Sequence, residues 1–242
     1  MNWSRVKTIA ISVFSIVVLF LTVKYLNLLP REEFLTDRQI KTAQNILSQN
    51  SIELSCTIDR KIYYVSKLNV KTEFAYDSIL NKLFGKRVDR YQNEFENSIY
   101  HLKIVNQTLF LESKFKQDPF ELFDLNRNDY MKDYDGSYVQ VYKNYPIFDS
   151  RLKVQNQGDR VLYIFTRVIP QGFELKKNRA ISATEAIFNL LNQQKNIREI
   201  QNIRFGFYLK DFNVIQGQAV PVWRIVADGE VYYINAFTGM LE

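Results

Sequence analysis

The segment PVWRIVADGEVYYIN, residues 221–235, carries the strongest fold signal in the chain. Its central Asp-Gly pair is a typical two-residue turn between antiparallel strands, because both residue types tolerate positive φ. Folding the segment about this turn gives two apolar pairs, Ile225 with Tyr232 and Trp223 with Ile234. A register slip of one residue would turn this whole set toward solvent. The segment therefore predicts an antiparallel sheet with one buried face.

Further helix and strand patterns precede this hairpin. Capping boxes that begin at Thr36 and Ser182 predict two amphipathic helices. A third helix is predicted over 74–84, with Gly85 as its end. Alternating apolar residues predict strands at 62–70, 91–113, 138–142, 151–154 and 161–168. These patterns predict an α+β fold of antiparallel sheets with packed helices.

The stretch 118–136 is the main break in these patterns. It is rich in Asp and Asn, a composition typical of loops and turns. We therefore expect two lobes, an N-terminal lobe over 30–135 and a C-terminal lobe over 136–242.

The same stretch also contains oxygen-bearing side chains at calcium-loop spacing. They occupy positions 1, 3, 5 and 12 of that register, at Asp124, Asn126, Asn128 and Asp135. Position 6 is Asp129 where the sharp turn needs glycine, and position 12 is not glutamate. A solvated loop between the lobes is therefore favoured over a calcium site.

The N-terminal residues predict a membrane anchor. Residues 1–7 form a short basic tip, and 8–29 are apolar with one charge, Lys24. A helix rises about 1.5 Å per residue, so this run can cross a hydrocarbon core of about 30 Å. The residues after the run are bulky where signal peptidase needs small ones, which favours an uncleaved anchor over a cleaved signal.

The charges that flank this run predict its orientation. Arg5 and Lys7 precede it without an acid, whereas the other flank mixes Arg31 with Glu32 and Glu33. By the positive-inside rule, the N-terminus is cytoplasmic and the large domain extracytoplasmic, in a single-pass protein of the cell membrane.

One face of the predicted anchor carries nearly all of its small polar side chains. Alternating spacings of four and three place five residues in a stripe about 80° wide, Thr8, Ser12, Ser15, Leu19 and Thr22. In lipid, hydroxyls can hydrogen-bond across helices, so the stripe predicts a docking face for other transmembrane helices. Alternatively, each hydroxyl bonds back to the carbonyl four residues earlier. The spacing leaves both interpretations open.

The sequence contains no recognisable catalytic, cofactor or metal motif. His101 is the one histidine and lies in a strand pattern, where an ordinary half-buried or exposed histidine is favoured. Cys56 is the one cysteine, which excludes an intramolecular disulfide and a cysteine zinc site. Of the net charge of +6, four units precede Glu32, so the remainder gives little reason to expect nucleic-acid binding. We expect no enzyme activity, no cofactor and no catalytic residue.

Two ends of the chain resemble the YycI family. They are the opening MNWSRVKTI, residues 1–9, which runs into the apolar span, and the close PVWRI followed by YYINAFTG, within residues 221–239. Between them, 138–149 and 182–186 resemble PepSY-like pro-peptide modules, so the resemblance predicts a PepSY-like C-terminal lobe.

The resemblance implies a non-enzymatic accessory protein of Gram-positive bacteria. Such a protein pairs with a YycH-type partner and acts on the WalK sensor histidine kinase, which controls cell-wall homeostasis with WalR. The expected partners are therefore this kinase, the YycH-type protein and the lipid bilayer. Two alternatives remain, a PepSY-like module that binds or restrains a protease, and an envelope hydrolase whose carboxylates are distant in sequence.

Overall fold

The computed structural model describes five ranges of the chain, 3–28, 33–72, 76–85, 94–210 and 216–242. It contains two units, Met1–Phe34 and Leu35–Glu242.

The first unit consists mainly of one helix. This helix, α1, runs over Trp3–Leu28, and β1 follows at Glu33–Phe34. In α1, the side chains at 11–22 are exposed. Within the part of the chain that the structure describes, no helix has the combined length and apolarity of a membrane span. The predicted membrane anchor therefore stays a prediction.

In its described residues, the second unit combines four α-helices with many strands. The helices are α2 Asp37–Gln49, α3 Asp77–Phe84, α4 Pro119–Leu122 and α5 Ala183–Gln193. The first eight strands of this unit are β2 Glu53–Leu54, β3 Lys61–Ile62, β4 Tyr64–Val65, β5 Leu68–Lys71, β6 Glu94–Glu96, β7 Tyr100–Val105, β8 Thr108–Ser113 and β9 Tyr130–Lys132. The others are β10 Tyr138–Tyr142, β11 Tyr145–Gln157, β12 Arg160–Thr166, β13 Ile169–Phe173, β14 Asn178–Arg179, β15 Glu199–Tyr208, β16 Gln216–Ala227 and β17 Glu230–Asn235. The α+β class is as predicted.

A thirteen-stranded sheet dominates this unit in the described ranges. Its main path is β13-β5-β16-β15-β11-β12-β8-β7-β6, with β2, β9, β10 and β17 joined beside it. Most neighbours are antiparallel, as predicted, but β15 pairs parallel with both β11 and β2. Parallel neighbours need a long crossover, and the one from β11 to β15 includes α5. The prediction of antiparallel sheets is wrong at these two pairings.

The C-terminal hairpin has the predicted turn and register. Asp228 and Gly229 both have positive φ, and the two predicted apolar pairs are formed. The opposite face of β16 is not open to solvent, however, since Val222, Arg224 and Val226 are buried as well. The β9–β10 hairpin packs on that face, where Val139 and Met131 belong to one apolar cluster with Val222. A local pattern cannot reveal this second layer.

The local helix signals are largely confirmed. Both capping boxes are formed, at the N-termini of α2 and α5, and Gly85 ends α3 with φ 63°. The predicted start of the third helix at Phe74 lies outside the described residues. The predicted strand over 62–70 is divided into short strands, and the stretch 118–136 contains α4, a 3₁₀ helix at Arg127–Asp129 and β9.

The hydrophobic core is divided differently from the predicted lobes. One cluster packs α2 and α5 against the face of the sheet that carries Trp223 and Ile225. A second cluster packs α3 and α4 against β7, β8 and β12. Both clusters contain residues from before and after the predicted boundary at 135/136, and that boundary falls in the turn between β9 and β10. The division into two lobes itself remains a prediction.

Gly206 marks a tight contact between β15 and β11. A Cβ at this position would lie 2.6 Å from the Pro146 carbonyl oxygen and 2.7 Å from the Phe148 ring. We predict that Gly206→Ala lowers the free energy of unfolding by about 1–3 kcal/mol, because a closely packed interior resists added volume. Lys103→Ala, at an exposed position of β7, serves as the control with a change within about 0.5 kcal/mol. Chemical denaturation measures the stability of both variants. A Gly206→Ala variant as stable as the Lys103→Ala control would contradict the close approach of β15 to β11.

Candidate interaction surfaces

The predicted docking stripe lies on α1. Ser12, Ser15, Leu19 and Thr22 are exposed on this helix, and the side chain of Thr8 lies outside the described residues. The Thr22 hydroxyl donates a hydrogen bond to the Val18 carbonyl at 2.8 Å. For Thr22 the intrahelical bond is therefore made. A hydroxyl that donates in this way keeps acceptor capacity, so the bond does not remove Thr22 from an interhelical contact.

A buried ion pair lies in the large sheet. Arg224 on β16 has no exposed surface, and Asp133 in the β9–β10 turn is also buried. The guanidinium donates two hydrogen bonds to the carboxylate, at 2.5 and 2.7 Å. It also lies over the rings of Phe148 and Tyr134, at 4.5 and 4.9 Å from their centroids. The pair ties the β9–β10 hairpin to the centre of the sheet.

A second arginine extends this pair toward the surface. Arg151 on β11 donates to Asp133 at 2.9 Å and to Asp135 at 3.2 Å. Burial opposes ionisation of Asp133, but hydrogen bonds and charge from Arg224 outweigh it and lower the pKa of Asp133. Asp133 is therefore a carboxylate that bridges two guanidinium groups.

The sequence pattern describes this region only in part. It predicts a solvated loop over 118–136, yet Asp133 is buried and Asp135 contacts Arg151. The available signal is Arg224 itself, which interrupts an apolar strand. A charge in such a run requires a buried partner, although the sequence does not say which one.

Two of the calcium-register residues, Asn126 and Asp135, hold local turns. Asn126 accepts from the backbone N–H of Asn128 at 3.1 Å, and Asp135 accepts from the backbone N–H of Ser137 at 3.1 Å. No group of three or more His, Cys, Asp or Glu side chains with metal-binding geometry occurs in the described residues.

Asp149 on β11 is a half-buried aspartate. Its carboxylate accepts a hydrogen bond from the Leu209 N–H at 2.7 Å. Burial raises the pKa of Asp149 to about 7, against the hydrogen bond from Leu209 and the charge of Arg151. Tyr208 and Tyr233 lie close enough for the charge of Asp149 to raise the pKa of both phenols, although burial is the larger cause. Their rings stack at 4.4 Å.

This arrangement does not resemble the carboxylate pair of a hydrolase. The groups that act on the Asp149 carboxyl are a backbone amide and an arginine, and tyrosine rings lie beside it. His101, on β7, contacts Glu94 at 2.8 Å and is half-buried, as the sequence predicted. Cys56 is half-buried, and burial raises the pKa of its thiol. Such a thiol is a weak nucleophile at neutral pH.

The chain combines a helix at its N-terminus with a large α+β domain whose sheet contains a buried arginine–aspartate pair. The family model described as "YycI protein" matches residues 32–237, which is most of the chain. The chain belongs to the YycI family. This family is regulatory and non-enzymatic, and membership suggests a regulator of the WalK/WalR two-component system.

Other comparisons add little to this assignment. None of the curated proteins matches the chain. Among solved structures, the chain is similar to an uncharacterized protein from Eubacterium rectale ATCC 33656. The two are 12% identical, the match covers 79% of this chain and 89% of the other, and the TM-score is 0.45.

The ion pair predicts an asymmetric response to mutation. Asp133→Asn leaves the fully buried Arg224 without a carboxylate, and we expect a loss of about 3–5 kcal/mol in the free energy of unfolding. Arg224→Met fills much of the same volume and leaves Asp133 paired with Arg151, so we expect a smaller loss. The double variant should be less destabilised than the sum of the two. Denaturant titration of the four proteins measures this, and additive losses would contradict the coupling.

Asp149 predicts a pH dependence of stability. In the folded chain its carboxyl keeps a proton up to about pH 7, whereas an unfolded aspartate loses it near about pH 4. The folded state binds more protons between these values, so this group's contribution to stability falls as pH rises from about 4 to about 7.

Asp149→Asn removes this titration while its side-chain oxygen can still accept from Leu209. We expect the stability of the variant relative to wild type to increase by about 1–3 kcal/mol between about pH 4.5 and about pH 8. Thermal and denaturant unfolding at the two pH values measure the difference. Parallel pH profiles for the two proteins would show that the carboxyl is not held protonated.

Proposed function

We propose that this protein is a membrane-anchored, non-enzymatic regulator of a WalK-type sensor histidine kinase, acting with a YycH-type partner through transmembrane and extracytoplasmic contacts. The observation that carries the proposal is the match of the YycI family model over 32–237. The chemistry of the described residues is compatible with it, since the buried charged groups hold the fold together.

The membrane anchor is supported by sequence and by exposure. The apolar run over 8–29 has one charge, and its flanks follow the positive-inside rule. Large apolar side chains are exposed all around α1, at Ile11, Val13, Phe14, Ile16, Val17, Val18, Leu19, Phe20 and Leu21. Water would disfavour this surface, whereas lipid or neighbouring helices would accommodate it. We infer a cell-membrane location with the domain outside.

Regulation then requires only binding. A ligand shifts a kinase equilibrium by at most the difference in its affinity for the two kinase states. Tethering in one bilayer raises the effective concentration of both proteins, so weak contacts suffice. The hydroxyl-bearing stripe offers such contacts inside the membrane. The second unit, tied together by Arg224 and Asp133, offers a stable surface for the YycH-type partner outside it.

The stripe is tested by replacing its hydroxyl residues with apolar ones. We expect Thr8→Leu, Ser12→Leu, Ser15→Leu and Thr22→Leu together to weaken co-purification with the kinase about 50-fold, because four interhelical hydrogen bonds contribute about 0.6 kcal/mol each. The matched control changes other faces of the same helix, with Ile16→Leu, Val17→Leu and Phe20→Leu. Unchanged association of the stripe variant would contradict docking through this face.

Replacing the whole helix separates this proposal from a PepSY-like module. A chain with an unrelated membrane span still presents the same outer domain, and a PepSY-like module would keep its activity. The proposed regulator should lose most of its effect on kinase output, measured as response-regulator phosphorylation in membranes. Full activity with an unrelated span would overturn the transmembrane part of the proposal.

A further inference from the structure

A short loop at one end of the sheet carries a leucine that is followed by two lysines. This 174–177 loop joins β13 to β14, and both strands pair antiparallel with the neighbouring segment of 64–71. Phe173 pairs with Leu68 and Asn178 with Val65. Four loop residues therefore lie opposite only two, Ser66 and Lys67, and the extra length must project from the sheet.

The base of the 174–177 loop is held at defined points. The Glu174 N–H donates to the Lys67 carbonyl at 3.1 Å, and the Ser66 hydroxyl donates to the Glu174 carbonyl at 2.7 Å. The Glu174 carboxylate accepts from the Gln218 amide at 2.6 Å. The Glu174 carboxylate is therefore already hydrogen-bonded at the base of the loop.

The tip of the loop combines an apolar residue with positive charge. Leu175 is 103% exposed, the highest value among large apolar side chains in the described residues. Lys176 and Lys177 follow it and are exposed. An exposed leucine alone would need no explanation. A leucine projected from a fixed base beside two lysines is the combination that interfacial segments use on an anionic bilayer.

We propose that the 174–177 loop docks on the anionic lipid surface of the membrane, with Leu175 in the interface and the two lysines against phosphate headgroups. The inference rests on the proposed anchor. Only the five residues 30–34 separate the anchor run from Leu35, so the covalent chain keeps the start of the domain close to the bilayer. The Leu35 N–H donates to the Arg60 carbonyl at 2.7 Å. Four residues further along the chain, Tyr64 pairs with Arg179, which lies beside the loop. Hydrogen bonds thus connect the start of the domain to the strand pair that carries the loop.

The chain offers a matched control with the same local composition. Phe115 is 61% exposed between Lys114 and Lys116, at the end of β8. In the strand order, β8 lies six places from β13, which corresponds to about 29 Å at the usual strand spacing. If the 174–177 loop contacts the membrane, a label at position 115 should respond differently from a label at position 175.

The test uses the full chain with Cys56→Ala and a single fluorescent label at Leu175→Cys or Phe115→Cys. The labelled chains are reconstituted in vesicles of phosphatidylglycerol with phosphatidylcholine, or of phosphatidylcholine alone, each with a spin-labelled lipid as quencher. We expect a blue shift and lipid quenching at position 175 in the anionic vesicles, with little at position 115. Lys176→Gln with Lys177→Gln should weaken docking about 30-fold, whereas Lys114→Gln with Lys116→Gln should leave it unchanged.

Flotation after an alkaline wash distinguishes failure of the anchor from failure of the loop. A chain that floats but shows no quenching at 175, or equal quenching at both positions, would overturn the loop inference and leave the anchor standing. A blue shift without lipid quenching would mean that a protein covers the loop, which also overturns it. A chain that no longer floats would overturn the anchor and this inference together.

Discussion

The contact between Arg224 and Asp133 determines how the second unit is layered. A guanidinium with no exposed surface in the middle of a sheet requires a carboxylate, and the one it binds is in the turn between β9 and β10. The guanidinium also lies over the rings of Phe148 and Tyr134. The hairpin is thereby held over one face of β16, while α2 and α5 cover the other. The strand is buried on both sides as a result.

Two aspartates close to Arg151 have pKa values shifted in opposite directions. Asp133 is buried, but two arginines keep it ionised. For Asp149, burial outweighs the backbone hydrogen bonds and the charge of Arg151, so its pKa rises to about 7. The number of hydrogen bonds to the charged form separates the two cases. Asp133 ties the β9–β10 hairpin to the sheet, and Asp149 accepts from the backbone of Leu209.

The proposed regulator would act through its surfaces. The α1 stripe and the 174–177 loop both combine apolar side chains with polar or charged ones. The stripe places hydroxyls on an apolar helix, and the loop places a leucine beside lysines. Each would gain its binding energy in or at the bilayer, where tethering makes weak contacts effective. Such a mode of action agrees with membership of a non-enzymatic regulatory family.

Several features could be read from the sequence because they depend on residues only a few positions apart. The two capping boxes, the Asp-Gly turn and the Gly85 helix end are of this kind, since each is a hydrogen bond or a backbone conformation within one turn. The stripe on α1 likewise follows from helical spacing, but its partner is not part of the chain. Only the tertiary structure decided that Arg224 meets Asp133, 91 residues away, and that β15 lies parallel to β11. Such contacts depend on which segment covers which face of the sheet, and no local pattern encodes that choice.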